Sequence, residues 1–193
     1  MNDPPLKGWP RLRDLVRSVS FPLIGAEVGV SMGWTSEQLL REFPTLSLFM
    51  VDFWSDSPAE SAYTKSGDSM AKLSQEVQNN KMVYAEARTA FAASRRRLIK
   101  SDSVAAANGL SDGYLAFAFI DGDHTYEGVK RDLEAWAPKV RSGGLLIMHD
   151  FRHPRDKRGL WGVERACREF FGSRWWELHG DEKSTICWCE VKA

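Results

Sequence analysis

LAFAFIDGDHTYEGVK, residues 115–130, decides how the rest of the chain is read. LAFAFID (115–121) carries no polar break before its final aspartate, which marks a strand buried on both faces rather than on one. Asp121, Gly122, Asp123 and His124 follow at the end of that run. EGVKRDLEAWAPKV (127–140) then reads as a helix stopped around Pro138. A doubly buried strand feeding straight into a helix belongs to a parallel sheet covered by helices.

The same unit recurs outward from this stretch. LIGAEVGV (23–30) reads as a strand, and TSEQLLREF (35–43) as a helix with Thr35 or Ser36 as its N-cap. LSLFMVD (46–52) is a second strand, and residues 69–93 read as helical. RRLIKSD (96–102) is a third strand, and VAAANGL (104–110) a short helix ending near Gly109. GGLLIMHD (143–150) is the fifth strand after the one in the opening stretch. Beyond a helix at about 161–171, RWWELH and STICWCEV read as two strands joined by GDEK, a turn short enough to force antiparallel pairing. The expected fold is α/β: a doubly wound, mostly parallel seven-stranded sheet with a C-terminal antiparallel hairpin, in a single domain over 1–193. WSDSPAESAYTKSGD (54–68) is the longest loop-like insertion, placed where lids and substrate walls form.

The bulk composition excludes several classes. The chain has 193 residues, 43% hydrophobic and 27% charged, which is ordinary for a globular protein. Its 26 basic and 26 acidic residues cancel, so neither a nucleic acid nor an anionic membrane is an expected partner. Arg95, Arg96 and Arg97 read as a solvated face. Cys187 and Cys189 flank Trp188 without a second pair, as small apolar residues in a reducing, cytoplasmic setting. MNDPPLKGWP holds no apolar segment of the kind a signal peptide needs, and no apolar run is long enough to span a membrane.

Ligands of open α/β sheets bind beyond the carboxyl ends of the strands. That rule selects the segment from Glu27 to Gly33, then Asp52, Asp102 with Ser103, Asp121 to His124, and His149 with Asp150. Every one of these five edges carries a carboxylate. The first reads Glu27-x-Gly29-x-x-x-Gly33, with glycines for a tight turn and a glutamate that repels a pyrophosphate but suits a cationic group. Asp52 is placed to accept from ribose hydroxyls, in a nicotinamide or an adenosyl ligand alike. Each residue also has a plainer structural reading, such as Asp123 capping the next helix or His149 bonding a carbonyl. Their convergence on one edge favours a site.

ExGxxxG, FMVDFW, FIDGDHTYEGVKRDLEAW and SGGLLIMHDF together resemble class I S-adenosylmethionine-dependent methyltransferases, over roughly residues 20–190. They are similar to a group of small bacterial and phage enzymes, and more distantly to the cation-dependent O-methyltransferases of catechols and caffeoyl-CoA. The resemblance implies S-adenosylmethionine as methyl donor. It implies Glu27 near the methionine part, with Gly29 and Gly33 giving backbone access. It places Asp52 on the ribose, Phe53 beside the adenine, and Asp102 and Ser103 flanking that ring. The cation-dependent enzymes carry Asp-x-Asp-Lys after strand four, which maps Asp121 to a metal ligand, Asp123 to a cofactor contact and His124 to the base. Their strand-five Asp-Asn maps to His149 and Asp150 as metal ligands. Histidine in place of lysine titrates closer to neutrality. A histidine among the ligands suits Mn²⁺, Fe²⁺ or Zn²⁺ at least as well as Mg²⁺, which leaves the divalent cation open.

The resulting expectation is O-methylation of a small-molecule acceptor, with His124 as base and a divalent cation (Mg, Mn or other) assisting. Trp54, Tyr63, Arg152, His153 and Trp161 are expected around the acceptor. The Asp/Asn-Pro-Pro-aromatic motif of DNA base methyltransferases is missing. A non-catalytic S-adenosylmethionine-binding module is the rival reading. A nicotinamide-dependent oxidoreductase is a third, opposed by Glu27 and the glycine spacing. A homodimer is the oligomer considered.

Overall fold

A computed structural model of the chain describes residues 8–19, 22–181, 183 and 185–192. Five parallel strands are β1 (Ile24–Val28), β2 (Ser47–Asp52), β3 (Arg96–Lys100), β4 (Leu115–Ile120) and β5 (Val140–Met148). With β6 (His179–Asp181) and β7 (Ile186–Glu190) they form one seven-stranded sheet in the order β3-β2-β1-β4-β5-β7-β6. β7 runs antiparallel between β5 and β6. The chain leaves β1 toward β2 and β3 and later returns on its other side with β4, so the strand order reverses between β1 and β4. A crevice opens at such a reversal.

Eight α-helices accompany the strands among the described residues: α1 (Trp9–Ser18), α2 (Trp34–Glu42), α3 (Ala62–Lys65), α4 (Gln75–Arg88), α5 (Ser103–Asn108), α6 (Tyr126–Trp136), α7 (Pro154–Lys157) and α8 (Val163–Phe171). β4 shows why the sheet needs cover on both sides. All its residues are buried, but Phe117 and Phe119 join Leu12, Leu39, Leu40 and Ala85 of α1, α2 and α4, whereas Ala118 and Ile120 join Ala107, Leu133, Trp136 and Ala166 of α5, α6 and α8. Alternation across one strand thus feeds two separate cores. No helix among the described residues is long and apolar enough to cross a membrane.

Several local expectations change. α1 was not anticipated; Leu12, Leu15 and Val16 repeat at helical spacing and are its buried face. Thr35 and Ser36 do not cap α2. Gly33 occupies that position, and both residues lie buried inside the first turn, because Ser36 turns its hydroxyl to Glu27. The helical stretch 69–93 divides into a 3₁₀ turn at Ser69–Lys72, then α4, then a second turn at Ala90–Ala92, since Ser74 accepts from the Val77 amide and starts a new helix. RWWELH is mostly a 3₁₀ segment, Gly172–Glu177, in which Arg174 and Glu177 pair at 2.8 Å across one turn, and only His179 reaches β6. Arg95 is not merely solvated: its guanidinium donates to the carbonyls of Leu40 and Phe43 at the end of α2 and of Leu46 just before β2.

Gly25 of β1 lies beside Phe117 of β4, and a Cβ added there would fall 2.2 Å from the ring's Cζ. The ring occupies the space a side chain would need. Gly25→Ala should lower stability by about 1–3 kcal/mol, the usual cost of overpacking. A urea titration should show a lower midpoint at unchanged slope, and an unmoved midpoint would mean that the ring relocates freely.

Candidate active site

The turn after β1 is a run of left-handed residues, with φ of 93° at Gly29, 52° at Ser31 and 78° at Gly33. Gly29 has no alternative, because a Cβ there would lie 2.1 Å from the carbonyl oxygen of Asp121. The glycine turn therefore rests directly on the end of β4. Asp52 holds the turn from the other side. Its two carboxylate oxygens accept from the Ser31 and Trp54 amides at 2.8 and 2.9 Å. The Val30 amide also bonds to this carboxylate, and since an ionised carboxylate offers roughly four acceptor positions, about one stays available for a ligand hydroxyl. Trp54, expected near the acceptor, is fully buried, and its indole N–H donates to the Ser31 carbonyl.

Glu27 is 1% exposed and accepts from the Ser36 hydroxyl. Burial pushes its carboxyl up to about 8 against that hydrogen bond, and Asp121 and Asp52 nearby add to the rise. It is a buried acid that a cationic ligand would ionise.

Asp102 is the N-cap of α5, accepting from the Val104 and Ala105 amides at 3.0 and 3.2 Å. The Ser103 hydroxyl accepts from the Trp136 indole at 2.8 Å and donates to Asp132. Asp132 escaped the sequence reading. It is 3% exposed, its Oδ1 has no partner, and burial pushes it up to about 7 against the Ser103 bond. Phe53 stands exposed at the rim.

At the end of β4, Thr125 rather than Asp123 caps α6, accepting from the Gly128 amide at 3.1 Å. Asp123 accepts from the Thr125 amide at 2.8 Å and lies against Gly128, where any Cβ would collide with it. Next to it two imidazoles meet three carboxylates. His124 Nε2 lies 3.1 Å from Asp150 and 3.4 Å from Asp121, while its Nδ1 lies 2.8 Å from Asp68. His149 Nδ1 is 3.0 Å from Asp121 and 3.4 Å from Asp150, and its Nε2 is buried without a partner. Burial opposes charging either ring, but the carboxylates prevail: His124 is raised well above its ordinary value and His149 to about 10. Asp121 and Asp150 are held below the usual carboxylate range, although burial alone would raise them. His124 was expected to be a base. With a carboxylate near each nitrogen the ring holds a proton more tightly than usual, and its Nε2 faces Asp121 and Asp150.

These edges wall a cavity of about 680 Å³, within the usual range for small-molecule sites. Gly29, Asp52, Phe53, Asp102, Ser103, Asp121, Asp123, His124 and Asp150 lie on its wall, whereas Glu27, Gly33 and His149 do not line it. Tyr63 and Trp161 line it as expected, with Trp161 stacked between His124 and His153 at 4.3 and 4.6 Å. Arg152 turns aside to Glu164. Lys81 was missed. It is 7% exposed, its ammonium lies 2.9 Å from the Met70 sulfur, and burial lowers it against the pull of Asp52 and Asp68. Asp68 was missed as well, because nothing local in the 54–68 insertion marks it for His124, 56 positions away.

A family model for the methyltransferase domain matches residues 24–151, two thirds of the chain and every edge just described. The chain belongs to that family. It is a class I, S-adenosylmethionine-dependent methyltransferase domain. The fold of this methyltransferase is similar to that of a Staphylococcus aureus protein described as a candidate caffeoyl-CoA O-methyltransferase, with TM-score 0.65 and 13% identity over 100% of this chain and 85% of that one. It is also similar to the O-methyltransferase NovP, with TM-score 0.63 and 17% identity over 97% of this chain and 80% of that one. The uncharacterized protein y4gI of Sinorhizobium fredii is 29% identical over 65 residues, which span 34% of this methyltransferase and only 7% of that protein.

Glu27 binds its proton far more tightly folded than unfolded, where its ordinary value is 4.5. Folding thus takes up a proton between about pH 4.5 and 8, and the contribution of Glu27 to stability, full below that window, is lost as pH rises through it. Relative to Glu27→Gln, the wild type should lose up to about 1.4 kcal/mol per pH unit across this window. Denaturant unfolding of both proteins at several pH values checks this, and parallel profiles would refute the raised value.

Proposed function

We propose that this methyltransferase moves the methyl group of S-adenosylmethionine to a hydroxyl oxygen of a small-molecule acceptor, with a divalent cation held by Asp121, His124 and Asp150. One observation carries the reading: these three residues each offer one ligand atom, and the atoms all lie within 4.8 Å of one another on the cavity wall. The donor set fits a divalent cation. Two carboxylates and an imidazole suit Mn²⁺, Fe²⁺ or Zn²⁺ and also accommodate Mg²⁺. In this reading His124 is a ligand through Nε2 instead of a base. His149, which does not line the cavity, orients Asp121 and Asp150.

S-adenosylmethionine supplies a methyl group already activated on a sulfonium. A divalent cation would supply a lower pKa for the acceptor hydroxyl, whose proton passes to solvent as the oxygen–methyl bond forms and the methyl–sulfur bond breaks to leave S-adenosylhomocysteine. The chain does the rest. Asp52 takes a ribose hydroxyl with the acceptor capacity that the Val30, Ser31 and Trp54 amides leave free. Gly29 lets the backbone approach the ligand, and Glu27 supplies a negative charge beneath its cationic part. Asp102, Ser103 and Phe53 take the adenine end in this reading, and Asp123 of the same cavity is a further cofactor contact. Tyr63 and Trp161 wall the acceptor end against water. Such alignment of acceptor and methyl is the main work left to the protein. The balance of basic and acidic residues supports a small acceptor over a nucleic acid.

The test is methyl transfer from radiolabelled S-adenosylmethionine to a panel of phenols and catechols, with Mn²⁺, Mg²⁺ or chelator. Label should appear in an O-methyl group. Chelator or Asp121→Asn should cost about two to three orders of magnitude, the scale of metal-assisted charge stabilisation. Full turnover in chelator would remove the cation, and label on nitrogen would remove the acceptor class.

A further inference from the structure

We propose that Asp68 is the positioning residue of this cation site, and that through it the segment 61–72 and the cation hold one another in place. The proposal rests on the cation reading above.

Asp68 belongs to no strand edge. It lies between α3 and the 3₁₀ turn Ser69–Lys72, in the insertion that follows β2. Its side chain is nonetheless buried, and its two oxygens do different things. Oδ1 accepts from the Met70 amide at 2.9 Å and caps the 3₁₀ turn. Oδ2 lies 2.8 Å from His124 Nδ1. A histidine whose Nδ1–H is held by a carboxylate presents its lone pair at Nε2, which is the arrangement that orients metal-bound imidazoles. Nε2 of His124 is the nitrogen facing Asp121 and Asp150. Trp161 stacks on the ring at 4.3 Å and blocks its rotation. Ring plane and edge are therefore both fixed, the edge by Asp68.

The dependence also runs the other way. α3 buries no residue, Met70 is 42% exposed, and the small side chain of Ala71 is the one apolar group of 61–72 that is buried. Beyond its own turns, the segment is tied down by the Arg155 guanidinium on the Gly67 carbonyl, by Lys81 on the Met70 sulfur, and by Asp68 on His124. A segment with so little apolar burial opens readily. If its closure helps the cation to bind, the cation must help it to close by the same factor.

Asp68→Asn separates this role from capping. The amide oxygen keeps an acceptor for the Met70 amide. The amide N–H₂, turned to His124, requires a bare Nδ1 and so moves the ring proton to Nε2, where it blocks a metal. Mn²⁺ is the probe, titrated into the full chain by calorimetry, with trypsin cleavage after Lys65 and Lys72 followed with and without the ion. Mn²⁺ should slow cleavage in the wild type. Asp68→Asn should bind Mn²⁺ about 10- to 100-fold more weakly, the usual cost of losing such a partner. Its cleavage without Mn²⁺ should match the wild type, and Asp68→Ala should lose both properties. Wild-type Mn²⁺ affinity in Asp68→Asn, or bound Mn²⁺ that leaves wild-type cleavage unchanged, would overturn the role of Asp68 and leave the cation site standing. A wild type that binds no Mn²⁺ would overturn both.

Discussion

Negative charge crowded at one end of a parallel sheet is the constraint that organises this protein. Asp68, Asp121 and Asp150 all lie within 3.4 Å of His124, and Glu27 and Asp52 stand close by. Two like charges about 4 Å apart repel by about 4 kcal/mol even at the high effective dielectric near a protein surface. The edge is tolerable only if positive charge is brought to it. His124 and His149 bring it in the form of protons, and Glu27 answers by staying neutral. A sheet edge this rich in carboxylates is matched to a ligand that carries positive charge, such as a sulfonium.

Much of the frame was legible because it follows from local patterning. Leu115 to Ile120 announced a strand buried on both faces, and the positions of β1 to β5 followed within a few residues. The edge residues were legible for the same reason, since a strand end fixes where its next residue goes. Contacts across large sequence distances were not. Asp68 sits in an insertion, and only the closed chain shows that it reaches His124. Asp132 and Lys81 lie on helices among other charged residues, with nothing local to mark them as buried. Ser36 misled as a cap because its hydroxyl has a better partner in Glu27. His124 kept the place expected of it, but the three carboxylates around its ring were not all visible in the sequence, since Asp68 comes from the insertion.

The division between frame and insertion has a functional meaning. Turns after β1, β2 and β4 are locked to one another by backbone and carboxylate contacts, such as Gly29 against Asp121 and Asp52 against Ser31. That end is rigid and suits a ligand shared by a whole family. Another part of the wall is made of 61–72, which reaches the frame through a few polar contacts such as Asp68 with His124 and Arg155 with Gly67. Fold alone does not name an acceptor, and this looser wall is where one would be chosen.

The place of β7 has a consequence for how the molecule is made. β5, which leads into His149 and Asp150, has β4 on one side and β7 on the other, and Phe151 is tied by its amide to the Thr185 carbonyl. β7 is synthesised almost forty residues after β5. A chain growing from its first residue can therefore assemble β1 to β5 while the outer rim of β5 still lacks its partner. Until β7 arrives, that rim is a bare row of amides and carbonyls beside the most highly charged corner of the protein. The strand that leads into His149 and Asp150 is thus among the last to gain both neighbours, and the newborn chain is exposed to wrong pairing there until it does.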